Sequence, residues 1–274
     1  NTVYYLMQPG DRGLLIAFEG LDGSGKTTQR KLLKSWLRSL QRDVVVTKWN
    51  SSPLFKPLIK AKKAARELDA ATYATLHASD FWHRHETVIE PCLDGGKIVI
   101  ADRYVFTGLA RDVARGMERD WTMELYGDAR RPDLVFYIRA SAETCAARIM
   151  STRQIKFYES GQDVTGLADP NESYLQFAPR VVAEYEYLRE RFGFVVVDAE
   201  LPVYAQHRFI RDTYLKHHAT VPASRPVDTA RHAFCRELMY KTSVIRLPKE
   251  IDSCGSAGLA MDALGLWKTR TFGT

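Results

Sequence analysis

The chain alternates short apolar runs with longer stretches in which apolar residues return every three to four positions. Residues 14–19 begin Leu14-Leu15-Ile16-Ala17-Phe18 and carry no charge until Glu19, which reads as a strand covered on both faces. Behind it, Leu32, Leu33, Trp36, Leu37 and Leu40 share one face of a helix expected over about residues 26–40. Val44-Val45-Val46-Thr47-Lys48 is a second strand, and Pro53 and Pro57 mark the loop that follows. Helices are expected over 58–68 and 71–93, the latter stopped by Asp94-Gly95-Gly96. Further strands fall at 97–101, 134–138 and 194–197. Strands separated by helices form βαβ units, so the expected architecture is a three-layer α/β fold with a five-stranded parallel sheet flanked by helices. In such sheets ligands gather beyond the carboxyl ends of the strands. The segment after strand one, Lys48, Asp102-Arg103 and the residues after Ile138 are therefore expected to converge.

The segment after strand one carries the strongest chemistry. Gly20 to Thr27 read GLDGSGKT, a full G-x-x-x-x-G-K-[ST] match between a strand and a helical pattern. Glycines let successive backbone N–H groups turn inward, and the helix N-terminus aims its positive dipole end at the same anion. A P-loop NTPase fold with a nucleotide as ligand follows. Gly20, Asp22, Gly23, Ser24, Gly25, Lys26, Thr27 and Thr28 are its expected contacts, with Lys26 on the terminal phosphates and the Thr27 hydroxyl on Mg²⁺.

Composition narrows the class. A length of 274 residues, 45% hydrophobic and 26% charged, suits one large α/β domain with additions. The net charge of +6 suits polyphosphate ligands as well as nucleic acid, and the basic residues form no block, so no nucleic-acid partner is expected. Cys92, Cys145, Cys235 and Cys254 form neither a C-x-x-C pair nor a disulfide framework. Without a long apolar run or a recognisable signal peptide in residues 1–5, the expectation is a cytoplasmic protein with no membrane partner. The start at Asn1 instead of Met suggests a trimmed piece. After about residue 217, prolines and mixed polarity leave no clear period. The expected organisation is a lead-in over 1–12, a P-loop domain over 13–217 and a C-terminal extension over 218–274.

With these motifs in place, the chain resembles the thymidylate kinase family of P-loop nucleoside monophosphate kinases. FEGLDGSGKTTQ over 18–29 is similar to that family's opening, and DRYVFTG over 102–108 to its second motif. PDLVFYI over 132–138, FAPRVVAEYEYL and VVVDA over 195–199 keep the family order. The resemblance implies Mg²⁺-dependent transfer of the γ-phosphoryl group of ATP to a nucleoside monophosphate, dTMP giving dTDP. It implies further that Lys26, Asp102, Arg103, Arg153 and Arg148 are catalytic. Asp22 would meet the acceptor sugar or, more plainly, cap the loop. Arg103 would grip the acceptor phosphate with its planar fork, or simply pair with Asp102. Asp102 would help Thr27 hold Mg²⁺ through water. Tyr104 would crowd the sugar 2′ position, or only pack. Arg148, Arg153 and Lys156 stand where related kinases carry lid cations, in a stretch hinged by Gly161 and Gly166.

The acceptor side departs from the family. Where an Arg-Glu-Pro element is usual, this chain has Lys48-Trp49-Asn50-Ser51-Ser52-Pro53, leaving phosphate contact there to Lys48 or to no residue. His77 or Phe81 would stack on the base and Arg84 would reach it, against a plain reading of the same cluster as core. Two alternatives stay open: a kinase for another nucleotide or a deoxynucleoside, and a nucleotide-binding regulatory module with weak transfer. The oligomeric state, a homodimer included, stays open too.

Overall fold

The computed structural model describes residues 13–220. Five strands make one parallel sheet: β1 (Leu15–Glu19), β2 (Val44–Lys48), β3 (Ile98–Asp102), β4 (Leu134–Arg139) and β5 (Val195–Asp198), in the order β2-β3-β1-β4-β5. All five residues of β1 are buried, as expected for the central strand of a sheet covered on both faces. The chain adds β2 and β3 on one side of β1, then β4 and β5 on the other. This reversal of strand order leaves a crevice at the carboxyl end of β1. Register sets what borders it: Phe18 and Lys48 both lie opposite Asp102, the last residue of β3.

Helices supply the outer layers. α1 (Lys26–Ser39) buries Leu33 and Leu37 and packs against α11 (Val203–Thr220). The expected helix over 71–93 is α3 (Ala70–Arg84), a widened π turn (His85–Ile89) and α4 (Glu90–Asp94). Pro91 explains the widening, because its ring has no N–H and crowds the carbonyl four residues back, which an i→i+4 ladder cannot absorb. α3 begins on Asp69, whose carboxylate accepts from the Thr72 amide at 2.7 Å. α2 (Lys56–Ala65) starts two residues before the expected 58, since Pro57 is tolerated in a first turn.

The hydrophobic pattern gave no clear expectation for α5 (Val105–Ala114), α6 (Arg119–Glu124), α10 (Pro170–Phe192) or α11. α10 buries Tyr174, Phe177, Val181, Tyr185 and Leu188 and packs extensively on α5. After α7 (Ala142–Met150), two single-turn helices, α8 (Phe157–Ser160) and α9 (Gln162–Thr165), build the expected lid stretch. Gly161 and Gly166 stand there at φ +79° and +70°. α11 runs on to residue 220, and the remainder of the expected C-terminal extension, like residues 1–12, lies outside the described residues. No helix among the described residues is long and apolar enough to cross a membrane.

Candidate active site

The P-loop, residues 20–27, leaves β1 through backbone that side chains would obstruct. A Cβ on Gly20 would stand 2.5 Å from the Ile138 carbonyl oxygen of β4. One on Gly23, at φ +85°, would stand 2.5 Å from the Cys145 carbonyl oxygen of α7. Glycine is what allows the loop to be clasped between two neighbouring elements. Not every amide of the expected cradle faces a ligand: Ser24 N–H donates to Leu21 and Thr28 N–H to Gly25, at 3.2 and 3.0 Å. The Lys26 ammonium donates to the Leu21 carbonyl and lies 3.4 Å from Ser24 Oγ. Burial, and then the neighbouring Arg103 guanidinium, pull its pKa down to about 7.

Two arginines meet over the P-loop on one carboxylate. Arg103 Nη2 donates to Asp22 Oδ1, and Arg111 Nη2 donates to Asp22 Oδ2. Burial works against the Asp22 anion, but these guanidiniums overcome it and hold its pKa well below the usual carboxylate range. Arg103 stands at φ +73°, unusual for a residue with a side chain, and is fixed there by bonds to the Gly20 carbonyl and Thr107 Oγ1 at 3.0 and 3.1 Å. Beneath it lies Glu19, wholly buried, accepting from Tyr104 N–H, Thr107 Oγ1 and Tyr185 Oη at 2.7, 2.6 and 3.0 Å. Desolvation raises the Glu19 pKa despite these donors.

Asp102 does not pair with Arg103. Its Oδ2 accepts from Arg30 Nε of α1 at 2.9 Å, which places the carboxylate beside the helix turn that carries Thr27. A hydroxyl and a carboxylate are hard oxygen donors, the kind that Mg²⁺ takes directly or through water, so this pair fits that ion.

The remaining expected residues divide by location. Arg153 grips Glu159 with both Nη atoms at 2.7 Å and lies within electrostatic reach of Asp22. Arg148 turns instead to the Ala199 carbonyl beyond β5, at 3.1 Å. Lys48 is exposed at the end of β2. The expectation that Tyr104 crowds an acceptor sugar meets a different geometry: its ring is covered, and its hydroxyl donates to the Arg130 carbonyl at 2.8 Å. Phe81 is likewise wholly covered, packed edge-on to Tyr104 and Tyr126, so neither ring offers a face to a base in this conformation. Arg84 is buried on Asp80 and Thr47 at 2.8 and 2.9 Å, with its Nη2 unpartnered. His77 is stacked between Tyr73 and Trp49. Its Nδ1 is 2.6 Å from the Tyr73 carbonyl oxygen, and Nε2 lies near both Asn50 Nδ2 and Lys63 Nζ, at 3.1 and 3.0 Å. Burial and the Lys63 charge hold the ring neutral.

Sequence reasoning missed Glu19, Arg30, Arg111 and Asp112. A signal existed for one of them. Thr107, Arg111 and Arg115 are spaced i, i+4, i+8, a single stripe on α5. Each meets a carboxylate from elsewhere in the chain: Glu19, Asp22 and Asp163.

A parallel sheet with a lysine-bearing P-loop at its switch point, faced by two arginines, defines a nucleotide phosphotransferase of the P-loop class. A family model described as thymidylate kinase matches residues 18–210. The chain belongs to the thymidylate kinase family. It is similar to probable thymidylate kinase 2 of Saccharolobus solfataricus, 43% identical over 194 residues that cover 70% of this chain and 91% of the relative. It is also similar to the probable thymidylate kinase of Thermococcus kodakarensis, 36% identical over 152 residues, covering 52% and 74%. The thymidylate kinase of Dictyostelium discoideum is 30% identical over 142 residues, covering 50% and 63%.

Proposed function

We propose that this chain transfers the γ-phosphoryl group of ATP to dTMP, giving dTDP and ADP. The observation that carries this reading is an excess of positive charge over the P-loop. Lys26, Arg103 and Arg111 converge there on a single ionised carboxylate, Asp22. Asp102, Glu159 and Asp163 are committed to Arg30, Arg153 and Arg115, and burial raises the pKa of Glu19 and of Asp112, which favours their uncharged forms. Buried cations without counterions are costly, and two polyphosphate ligands would supply the missing anions.

Phosphoryl transfer asks mainly for alignment and charge neutralisation. In this reading the glycine-lined loop and the amides at the start of α1 hold the donor phosphates, and Lys26 leaves the Leu21 carbonyl to meet them. Arg103, fixed by Thr107 and the Gly20 carbonyl, holds the acceptor phosphate in line with the donor. Asp22 orients Arg103 and neighbours the acceptor sugar. Thr27 and Asp102 would hold Mg²⁺, which would offset charge on the donor phosphates. Arg153, released from Glu159, brings the lid's positive charge to the transferring group while the segment over 151–166 excludes water. Arg148 is the reserve for that role. Arg84, with one donor nitrogen to spare, reads a carbonyl of the base. Turnover measured as ADP release with ATP, Mg²⁺ and, separately, dTMP, dUMP, CMP, AMP, GMP and thymidine tests the proposal. The expected ranking puts dTMP first. Equal silence with every acceptor would reject it.

A further inference from the structure

Arg111 sits on α5, two helical turns beyond Arg103, and no expectation from the sequence gave it a task. Its Nη2 donates to the carboxylate oxygen of Asp22 that Arg103 leaves free. The side chain is 12% exposed, almost the same as the 11% of Arg103, and its Nε is buried with no hydrogen-bond partner. The backbone carbonyl of Arg111 accepts from Arg115 Nη1 at 3.1 Å, and Arg115 is itself tied to Asp163 and the Tyr158 carbonyl. The position of Arg111 is therefore set from behind, while its guanidinium faces the P-loop.

Two guanidiniums on one carboxylate repel each other. The Arg111 charge acts against that of Arg103, and Asp22 is the strongest attraction on each guanidinium. One carboxylate leaves this pair with a net charge of +1. A phosphate monoester dianion has three terminal oxygens and enough charge to satisfy both forks at once; a nucleoside hydroxyl has neither. An unpartnered buried donor, Nε, waits on the side chain that would make the second contact.

We propose that Arg111 is a second acceptor-phosphate-binding residue: it and Arg103 grip the same phosphate monoester dianion, and Asp22 holds the two guanidiniums together before that dianion arrives. The proposal rests on the kinase reading above and deepens it, because it makes the acceptor's phosphate the main source of its affinity.

The test is equilibrium binding, by calorimetry, of dTMP, thymidine and ATP to the full chain and to its Arg111→Gln and Arg111→Lys variants, with thermal melts confirming that each folds. Wild type should bind dTMP much more tightly than thymidine. Failure of that contrast rejects the kinase reading itself, before any variant is considered. Given the contrast, Arg111→Gln should weaken dTMP binding roughly 10- to 100-fold, the scale of a lost hydrogen bond to a charged group. Thymidine and ATP should change less than about threefold, and Arg111→Lys should restore part of the loss. If Arg111→Gln does not fold, Arg111→Lys carries the test, with a smaller loss confined to dTMP. Unchanged dTMP affinity, or an equal loss for dTMP and thymidine, would overturn the proposal.

Discussion

In the proposed reading, the donor and acceptor halves of the cleft are built by different means. The donor half is backbone: Gly20 and Gly23 lie against the Ile138 and Cys145 carbonyls, and one lysine follows at the start of a helix. The acceptor half is side chains brought from β1, α3, α5 and α10, with Glu19, Thr107 and Tyr185 supporting Arg103 while Asp22 joins Arg103 to Arg111. A backbone cradle is specified by eight consecutive residues and recognises what every nucleotide shares. A side-chain clamp can change one residue at a time, so it is where specificity can vary within a family.

The largest effect should come from the residue that serves both halves. Lys26→Ala is expected to lower the transfer rate by about 10³-fold, the scale of removing one preorganised charge from a transition state, measured as kcat with ATP and dTMP. A rate within tenfold of wild type would remove Lys26 from the chemistry. Breaking the donor half alone comes next. Gly23→Ala forces a side chain into a left-handed backbone and against the Cys145 carbonyl, at a cost of roughly 1–3 kcal/mol. The melting temperature and ATP affinity should both fall. An ATP affinity equal to wild type would show that the cradle does not depend on this fit.

On the acceptor side, Asp112 is wholly buried on α5, with both carboxylate oxygens unpartnered. Desolvation raises its pKa to about 7, although Arg115, Arg111 and Lys63 oppose the shift. The folded state thus holds this proton more tightly than the unfolded chain. Ionisation penalises folding progressively from near the unfolded value of 3.8 up to about pH 7. Asp112→Asn should therefore gain stability over wild type as pH rises, by an amount on the order of a few kcal/mol between pH 4 and pH 8. Urea melts of both proteins across that range would show it, and a difference independent of pH would refute it.

A smaller effect distinguishes the empty donor site from the filled one. The pKa of Lys26, held to about 7 by burial and Arg103, should rise when phosphates approach. ATP binding near pH 8 is then accompanied by uptake of up to about one proton. Calorimetry in buffers of different ionisation enthalpy measures it, and proton release on binding would contradict the assignment.

The same division explains what could be read from the sequence. β1, the P-loop and α1 were legible because each is encoded locally: an apolar run, a glycine pattern and a one-sided helical stripe. The strand positions were read to within a residue, but the register that sets Asp102 opposite Phe18 and Lys48 had no local signature. α5 was obscured by β-branched residues and Gly108, a glycine required because Tyr126 lies against its α-carbon. α10 was obscured by Pro179 within it. The ion pairs were beyond reach for a different reason. Arg103 stands next to Asp102 in sequence, yet pairs with Asp22, because Arg30 occupies Asp102 and the left-handed turn at Arg103 aims its side chain toward the P-loop. Pairings among residues roughly 70 to 90 positions apart depend on tertiary packing, which no local pattern contains.

The central claim is that two phosphates meet end to end over one P-loop. Following a γ-phosphate label from ATP, with Mg²⁺ and dTMP present, tests it most directly. The label should pass to dTDP, one for each ADP formed, and omitting dTMP should stop ADP formation. Label appearing in inorganic phosphate at the same rate with or without dTMP would contradict it.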